Sequence, residues 1–283
     1  MRRILLTAVV FVAVVAGATA GVVALLGQDD AEPEAVRCAA ALDGTDWYLE
    51  PDQAEIAALL AGTALRLGLP ARAVTIAIAT GLQESKLRNI AHGDRDSLGI
   101  FQQRPSQGWG TVEQIMDPVF ATNAFYDALV RVDGYTELPI TEAAQAVQRS
   151  GFPEAYAQHE VRARAWASAL SGFSTGTVTC TLPAADGPAD PDAVVERAQR
   201  DLGLVAVPGE AGLLLDGGAL AAAPEDAGRL GWAVAHWGVS VAGPLGITQV
   251  RVADSQWDRD SGAWAPVEGT PLPDGQVLIT LAE

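Results

Sequence analysis

The sequence contains few basic residues, and this shortage limits the partners that the chain can have. Its 283 residues include 18 lysines and arginines against 35 aspartates and glutamates, and Lys86 is the only lysine. The formal net charge of −17 argues against nucleic acid as a partner, because binding to phosphates requires a basic face. We expect the acidic excess to keep the surface soluble.

Histidine and cysteine are also scarce. His92, His159 and His236 are far apart in the sequence, and neither Cys38 nor Cys180 belongs to a Cys-x-x-Cys motif. Because a zinc site needs clustered ligands, the sequence predicts no metal site, and nothing in it indicates another cofactor.

A long apolar run near the N-terminus predicts export. Arg2 and Arg3 precede an uncharged run from Ile4 to Gly27, and about 20 apolar residues can cross a membrane as a helix. The arginines favour the inside, so residues 1–27 are predicted to be an anchor, with residues 4–26 in the cytoplasmic membrane and the rest extracytoplasmic. The alternative is a cleaved signal peptide and a secreted protein, because Ala18-Thr19-Ala20 matches a cleavage site.

The two cysteines fit an exported protein. Cys38 and Cys180 lie near the two ends of one predicted domain. In an oxidising compartment such a pair predicts one disulfide. Two unrelated buried thiols are the alternative.

Composition and periodicity divide the rest of the chain. Residues 28–36 are acidic and predict an exposed spacer, and the amphipathic segments of residues 37–181 predict a mainly α-helical domain. A linker at 182–190 leads to residues 191–283, where two helices are predicted, at 192–202 and 230–242. Apolar runs that alternate with turns, the first at 204–207, predict strands. The predicted fold class is α+β: an N-terminal membrane helix, a mainly helical domain, then a small α+β domain.

Two predicted helices lead to the main candidate residue. Asp52 is expected to cap the first, which ends before Gly68. The second begins at Ala71 and is apolar almost all round, so we expect it in the middle of its domain. Glu84 stands at its end. A glutamate there is usually only a helix-end carboxylate, for instance one paired with Arg88.

Nearby motifs indicate a more specific role. Glu84-Ser85 is followed by Gly99-Ile100-Phe101-Gln102 and then by Trp109 between two glycines. With these motifs, residues 54–170 resemble the soluble lytic transglycosylases of the lysozyme superfamily, in a variant seen in exported actinobacterial proteins. The resemblance implies a lysozyme-like fold, with Glu84 as the sole catalytic acid/base beside a loop that lines a sugar cleft.

The resemblance also implies a substrate-binding set. Where the family has Tyr-Asn-Ala-Gly, with the tyrosine near the catalytic glutamate, this chain has Val147-Gln148-Arg149-Ser150. Gln148 or Tyr156 is expected to replace that tyrosine. Trp109 is expected to stack on a sugar ring or to cap the core. The implied substrate-binding residues are Ser85, Gly99, Ile100, Phe101, Gln102, Gln103, Trp109, Gln148 and Tyr156.

The implied reaction is cleavage of the MurNAc-GlcNAc β-1,4 bond in the glycan strands of peptidoglycan. Glycosidic cleavage requires a protonated carboxyl beside the leaving oxygen, and most glycosidases add a second carboxylate. Asp94 and Asp96 are candidates for it, or exposed turn residues. Otherwise, as in the family, the substrate's own N-acetyl group or C6 hydroxyl attacks. The alternative function is a non-catalytic module that binds cell-wall glycan or an envelope partner.

The last part of the sequence has a second, more distant resemblance. The segments 231–237 and 246–250 are similar to a domain of exported proteins that itself looks like a D-alanyl-D-alanine carboxypeptidase without its zinc site. Leu215-Asp216 would occupy the metal-binding segment, but no histidine precedes it closely. We expect residues 191–283 to be non-catalytic, with His236 as a core residue.

Overall fold

A β-hairpin opens the part of the chain that this computed structural model describes, residues 35–283 without the side chain of Pro153. Its strands β1 (Arg37–Leu42) and β2 (Thr45–Leu49) are antiparallel. Asp43 and Gly44 join them with φ angles of 51° and 75°, and such positive values are what a tight two-residue hairpin requires. Strand β3 (Val178–Thr181) pairs with the other edge of β1, giving the order β2-β1-β3.

A disulfide links two neighbouring strands of this sheet, β1 and β3. Cys38 of β1 and Cys180 of β3 are register partners, their Cα atoms are 3.9 Å apart and they are bonded. Both are buried. The bond closes a loop between residues separated by 142 positions, which stabilises the fold by about 4–5 kcal/mol in the chain-entropy model. The predicted disulfide is confirmed.

Two long helices follow the hairpin. Helix α1 (Pro51–Arg66) begins with a capping box between Glu50 and Gln53. The expected cap, Asp52, lies inside the first turn instead, because Pro51 takes the first helical position, which suits its fixed φ. Helix α2 (Ala71–Ser85) is buried over most of its length, as its apolar surface predicts.

The helices of the middle segment surround α2. They are α3 (Val112–Met116), α4 (Pro118–Leu129), α5 (Ile140–Gln148) and α6 (Glu160–Leu170), and a 3₁₀ helix, Pro153–His159, precedes α6. Helix α2 contacts α1, α4, α5 and α6. Helix α2, which carries Glu84 near its C-terminal end, is therefore held by several independent elements.

The remaining elements form a second sheet and its covering helices. The helices are α7 (Pro191–Leu202), α8 (Ala227–Ser240) and α9 (Ala242–Leu245), and the strands are β4 (Val207–Gly209), β5 (Gly212–Asp216), β6 (Ile247–Val252), β7 (Ser255–Asp258), β8 (Ala263–Pro266) and β9 (Gln276–Leu281). The antiparallel order is β4-β5-β9-β6-β7-β8. The apolar run at 204–207, which predicts a strand, is not a strand at residues 204–206, because pairing with β5 begins only at Val207.

Residues 36–283 form one compact unit with a continuous core. At one close approach, a Cβ on Gly62 of α1 would lie 2.8 Å from the carbonyl oxygen of Asp201 in α7. Arg197 pairs there with Asp201 and with Glu55 of α1. The indole of Trp237 in α8 also donates to Asp201. This buried polar network fixes α1 against the helices of the second sheet.

The predicted fold class needs a correction. The described residues are α+β, with 46% helix and 18% strand, but none of their helices is long and apolar enough to span a membrane. The longest, α1, has 16 residues, whereas a span needs about 20. The helix predicted at residues 4–26 lies outside the described residues, as does most of the 28–36 spacer. For residues 35–283 the fold class is therefore α+β, with no membrane-spanning helix among them.

Candidate functional site

Glu84 occupies the last turn of α2, where the chain reverses sharply. Lys86 and Leu87 both have left-handed backbones, with φ angles of 55° and 59°. This reversal brings the buried side chain of Leu87 back onto the helix, beside Gly81. A Cβ on Gly81 would lie 2.6 Å from the Leu87 Cδ1 atom. The glycine therefore makes room for the turn that ends the helix at Ser85, directly after Glu84.

Ser85 fastens the following loop to the end of α2. Its hydroxyl donates to the carbonyl oxygen of Ile100 at 2.7 Å and accepts from the amide of Arg88 at 3.0 Å. Both bonds are inside the protein, because Ser85 is buried. The serine next to Glu84 thus acts as a support for the loop.

The loop of residues 99–103 is tightly folded. Leu98 and Gln103 form a β-bridge, and Gly99 has a φ of 75°. A Cβ on Gly99 would lie only 2.8 Å from the carbonyl oxygen of Ile115. Ile100 and Phe101 are fully buried. Their side chains are therefore not available to a ligand, and their carbonyl oxygens accept from Ser85 and Gln148.

The two glutamines of this loop also make internal contacts. Gln102 donates from its carboxamide towards the carbonyl oxygens of His92 and Gly99. Gln103 is buried and donates to the carbonyl oxygen of Ala121 at 3.2 Å. Both side chains hold the loop in shape.

Tyr156, and not Gln148, is the side chain that contacts Glu84. The Tyr156 hydroxyl donates to Glu84 Oε1 at 2.7 Å, and its ring is fully buried. Burial, followed by the neighbouring Glu84 charge, raises the pKa of Tyr156 far above its usual value. The phenol therefore stays protonated and remains a donor. Gln148 instead donates to the carbonyl oxygen of Phe101 at 2.7 Å.

The other charged residues near Glu84 in sequence have partners of their own. Arg88 binds Asp52 and Glu50, so the pairing with Glu84 that would make it a simple helix-end carboxylate is wrong. Asp96 accepts from Ser106 and from Arg104 at 2.6 Å. These hydrogen bonds hold the pKa of Asp96 well below its usual range, and those from Ser106 have the largest effect.

Asp94 shows no sign of a catalytic position. Its side chain is 91% exposed and lies near Arg95. Together with the ionised, hydrogen-bonded Asp96, this placement matches the exposed-turn alternative for both residues better than a second catalytic carboxylate.

Trp109 and Gln148 lie together at a surface cavity of about 570 Å³. The lining residues are Gln107, Trp109, Ala128, Arg131, Val132, Ala146, Val147, Gln148 and Arg149. The half-buried indole packs against the core and also faces this space. Gln148 connects the cavity to the loop near Glu84, because it lines the cavity and binds Phe101.

Three further residues were not predicted from the sequence to be functional. Arg131 and Arg149 line the cavity, and Phe152 is 77% exposed although it is a large aromatic residue. Arg149 lies within the segment 147–150, and Phe152 follows it. The resemblance places the tyrosine motif at this segment, which is the sequence signal that could have indicated these two residues. Arg131 has no such signal, since it lies 18 positions before Arg149.

The histidine of the last part of the chain is enclosed. The His236 Nδ1 atom donates to the carbonyl oxygen of Ala169 at 2.8 Å, and Nε2 accepts from the amide of Thr177 at 3.2 Å. Burial lowers the pKa of His236 to about 4. Asp216 uses its carboxylate to cap Gly218. Within residues 35–283, no group of three or more His, Cys, Asp or Glu side chains could hold a metal ion.

The chain was also compared with known proteins. No model of a protein family matches it, and no curated protein matches it either. A function must therefore be inferred from the arrangement around Glu84 and from the motifs that surround it.

Proposed function

We propose that this chain is a lytic transglycosylase that cleaves the MurNAc-GlcNAc β-1,4 bond of peptidoglycan, with Glu84 as its acid and base. The observation that carries the proposal is the hydrogen bond from the buried Tyr156 hydroxyl to Glu84 Oε1. Glu84 is half-buried, is positioned by a neutral donor and has no cationic partner among residues 35–283. Such a carboxyl suits general acid catalysis.

In the proposed mechanism the two carboxyl oxygens have different tasks. Because Tyr156 donates to Oε1, we place the proton of the acid on Oε2, the oxygen that we propose to act on the glycosidic oxygen of the glycan. Glu84 donates this proton to the leaving O4 as the bond from C1 to O4 breaks. The serine and the loop of residues 99–103 keep the end of α2 fixed during this step.

The second half of the reaction uses the substrate as its own nucleophile. Asp94 and Asp96 have exposed or hydrogen-bonded positions of their own, so we assign neither as the nucleophile. The C6 hydroxyl of the muramic sugar attacks C1, and the Glu84 carboxylate takes its proton. Glu84 is then protonated again, no water is consumed, and the products are a 1,6-anhydro end and a free 4-hydroxyl end.

An extracytoplasmic location is part of this proposal. The disulfide between Cys38 and Cys180 supports it, because disulfides persist in oxidising compartments. Peptidoglycan lies in the same compartment. The second part of the chain, residues 191–283, is proposed to be non-catalytic, and the enclosed position of His236 supports a structural role for it.

Digestion of purified peptidoglycan by the full chain tests the proposed reaction. Mass spectrometry should find fragments with a 1,6-anhydro ring, each one water lighter than the corresponding hydrolysis product. Fragments with an ordinary reducing end would identify a lysozyme-type hydrolase and return Asp94 or Asp96 to consideration. If the wild type and Glu84→Gln bind peptidoglycan but neither cleaves it, the chain is a glycan-binding module instead.

A further inference from the structure

The cavity beside Trp109 carries a charge opposite to that of the whole chain. Its lining includes Arg131 and Arg149 and contains no carboxylate. The chain as a whole has a formal charge of −17. A locally positive cavity on such a protein indicates a preference for an anionic ligand, since local charge acts on a ligand at short range more strongly than distant, screened charge.

Neither guanidinium is used inside the protein. Across the described range 35–283, no carboxylate lies within ion-pair distance of Arg131 or Arg149, and neither side chain makes a hydrogen bond. Six other arginines in the same range do pair with aspartate or glutamate: Arg88, Arg95, Arg104, Arg197, Arg200 and Arg229. With carboxylates in such excess, two unpaired arginines at one cavity are available for a ligand.

The backbone helps to present one of them. Arg149 ends α5 in a left-handed conformation with a φ of 52°, which costs free energy for a residue other than glycine, asparagine or aspartate. Gln148 precedes it and is fixed to the carbonyl oxygen of Phe101. The turn therefore sets Gln148 towards the loop near Glu84 and Arg149 at the cavity.

The other lining groups fit a sugar. An indole such as that of Trp109 offers a flat apolar surface of the kind that a pyranose ring covers, and the Gln148 carboxamide oxygen is free to accept from a sugar hydroxyl, because only its nitrogen is used on Phe101. Guanidinium groups bind carboxylates with two parallel hydrogen bonds. The combination selects a saccharide that bears a carboxylate.

We propose that this cavity binds the carboxylate of an acidic saccharide, so that the protein prefers glycan strands with free carboxylates to strands in which they are neutral. The identification of the polymer as peptidoglycan rests on the proposed function. The preference for a carboxylate does not, since it follows from the two unpaired arginines.

Binding by an uncleaving full-length chain tests the proposal. Glu84→Gln is titrated calorimetrically at low salt with a peptidoglycan tetrasaccharide that carries carboxylates, and with the same fragment after its carboxylates have been converted to carboxamides. The carboxylate form should bind about tenfold more tightly, equivalent to about 1.4 kcal/mol. Arg131→Ala with Arg149→Ala should remove this difference and leave the affinity for the amidated form nearly unchanged.

The matched control is Arg66→Ala with Arg164→Ala. Both of these arginines are exposed, and they change the net charge equally but do not line the cavity. This variant should keep the tenfold difference. Equal binding of the two fragments to Glu84→Gln overturns the proposal, and so does a preference that survives loss of Arg131 and Arg149. If the wild type cleaves nothing but the preference follows the two arginines, the proposed reaction fails and the anionic site stands.

Discussion

Tyr156 and Glu84 are 72 positions apart in the sequence, yet the phenol donates directly to the carboxylate at 2.7 Å. The donor comes from the 3₁₀ helix after α5, not from α5 itself. Gln148, in the segment 147–150, reaches the 99–103 loop instead. Two residues therefore act near the end of α2: Tyr156 contacts Glu84, and Gln148 holds the loop.

Replacement of the acid should abolish turnover without unfolding the protein. Glu84→Gln keeps the size of the side chain and can accept from Tyr156, but it has no proton to give to the leaving oxygen. Because one residue serves as acid and as base, we expect the rate of peptidoglycan cleavage to fall by at least 10²–10⁴-fold. Glu142→Gln, on the exposed side of α5, is the control and should retain activity. A Glu84→Gln enzyme within threefold of wild type would remove Glu84 from the mechanism.

Removal of the Tyr156 hydroxyl should lower both stability and activity, whereas removal of the Tyr126 hydroxyl should lower stability alone. Tyr156→Phe loses the bond to Glu84, and Tyr126→Phe loses a comparable buried bond to the carbonyl oxygen of Leu60 at 2.9 Å. Each should lower the free energy of unfolding by about 1 kcal/mol. Only Tyr156→Phe should also lower kcat, by about 10- to 100-fold, because the carboxyl is no longer held in place. Equal activity of the two variants would show that Tyr156 only packs.

The turn after Glu84 should be sensitive to one added methyl group. Gly81→Ala places a Cβ 2.6 Å from Leu87 Cδ1 and 3.3 Å from Ile100 Cγ2. Overpacking of this kind costs about 1–3 kcal/mol, partly offset by about 1 kcal/mol of helix propensity. We expect a lower Tm and lower activity. Gly151→Ala, which meets nothing within 4 Å, should change the Tm little, and an equally stable Gly81→Ala would contradict the close contact.

The enclosed His236 should make stability depend on pH. Its pKa falls from 6.5 to about 4 on folding, so between these values the unfolded chain binds the proton more readily. The stabilisation is complete above pH 6.5 and is lost as the pH falls towards 4, by about 3 kcal/mol. Urea unfolding at pH 7 and pH 4.5 measures it. His236→Asn should reduce the difference between the two pH values, whereas the exposed His92→Gln should leave it unchanged.

The disulfide should contribute much of the stability. Cys38→Ala with Cys180→Ala should lower the free energy of unfolding by about 4–5 kcal/mol in the chain-entropy model. A reductant should destabilise the wild type by a similar amount and leave the double variant unaffected. Free thiols at both positions in non-reducing peptide mapping of the secreted or purified protein would contradict this result.

The helices could be predicted from the sequence because their signals are local. The apolar surface of residues 71–82 indicated a central helix, and it is central. The Asp43-Gly44 pair is an equally local hairpin signal, although residues 37–49 were predicted only as part of a mainly helical domain. The third strand, β3, has only four residues and pairs with β1 across almost the whole first part of the chain, so no local pattern could reveal it.

The contacts of the site were less predictable than its members. Glu84 and Ser85 stand in a recognisable motif, but the choice between Gln148 and Tyr156 as the partner of Glu84 depended on a turn whose path the sequence does not show. The burial of Phe101 depended on packing against Phe125, whose ring lies 4.2 Å from that of Phe101. Arg131 follows α4 and Arg149 follows α5. The two arginines meet at the cavity only through tertiary folding, which local sequence patterns do not reveal.

The bond between Cys38 and Cys180 turns most of the candidate catalytic region into a covalent ring. Glu84, Tyr156 and the loop between them all lie inside it. A protease that cuts an exposed stretch such as residues 91–95 would therefore release no fragment, because both pieces remain attached through the two sulfur atoms. Because Cys180 follows Cys38 by 142 positions, the ring can close only after nearly all of this region has been synthesised, and β1 lacks one of its neighbouring strands until then.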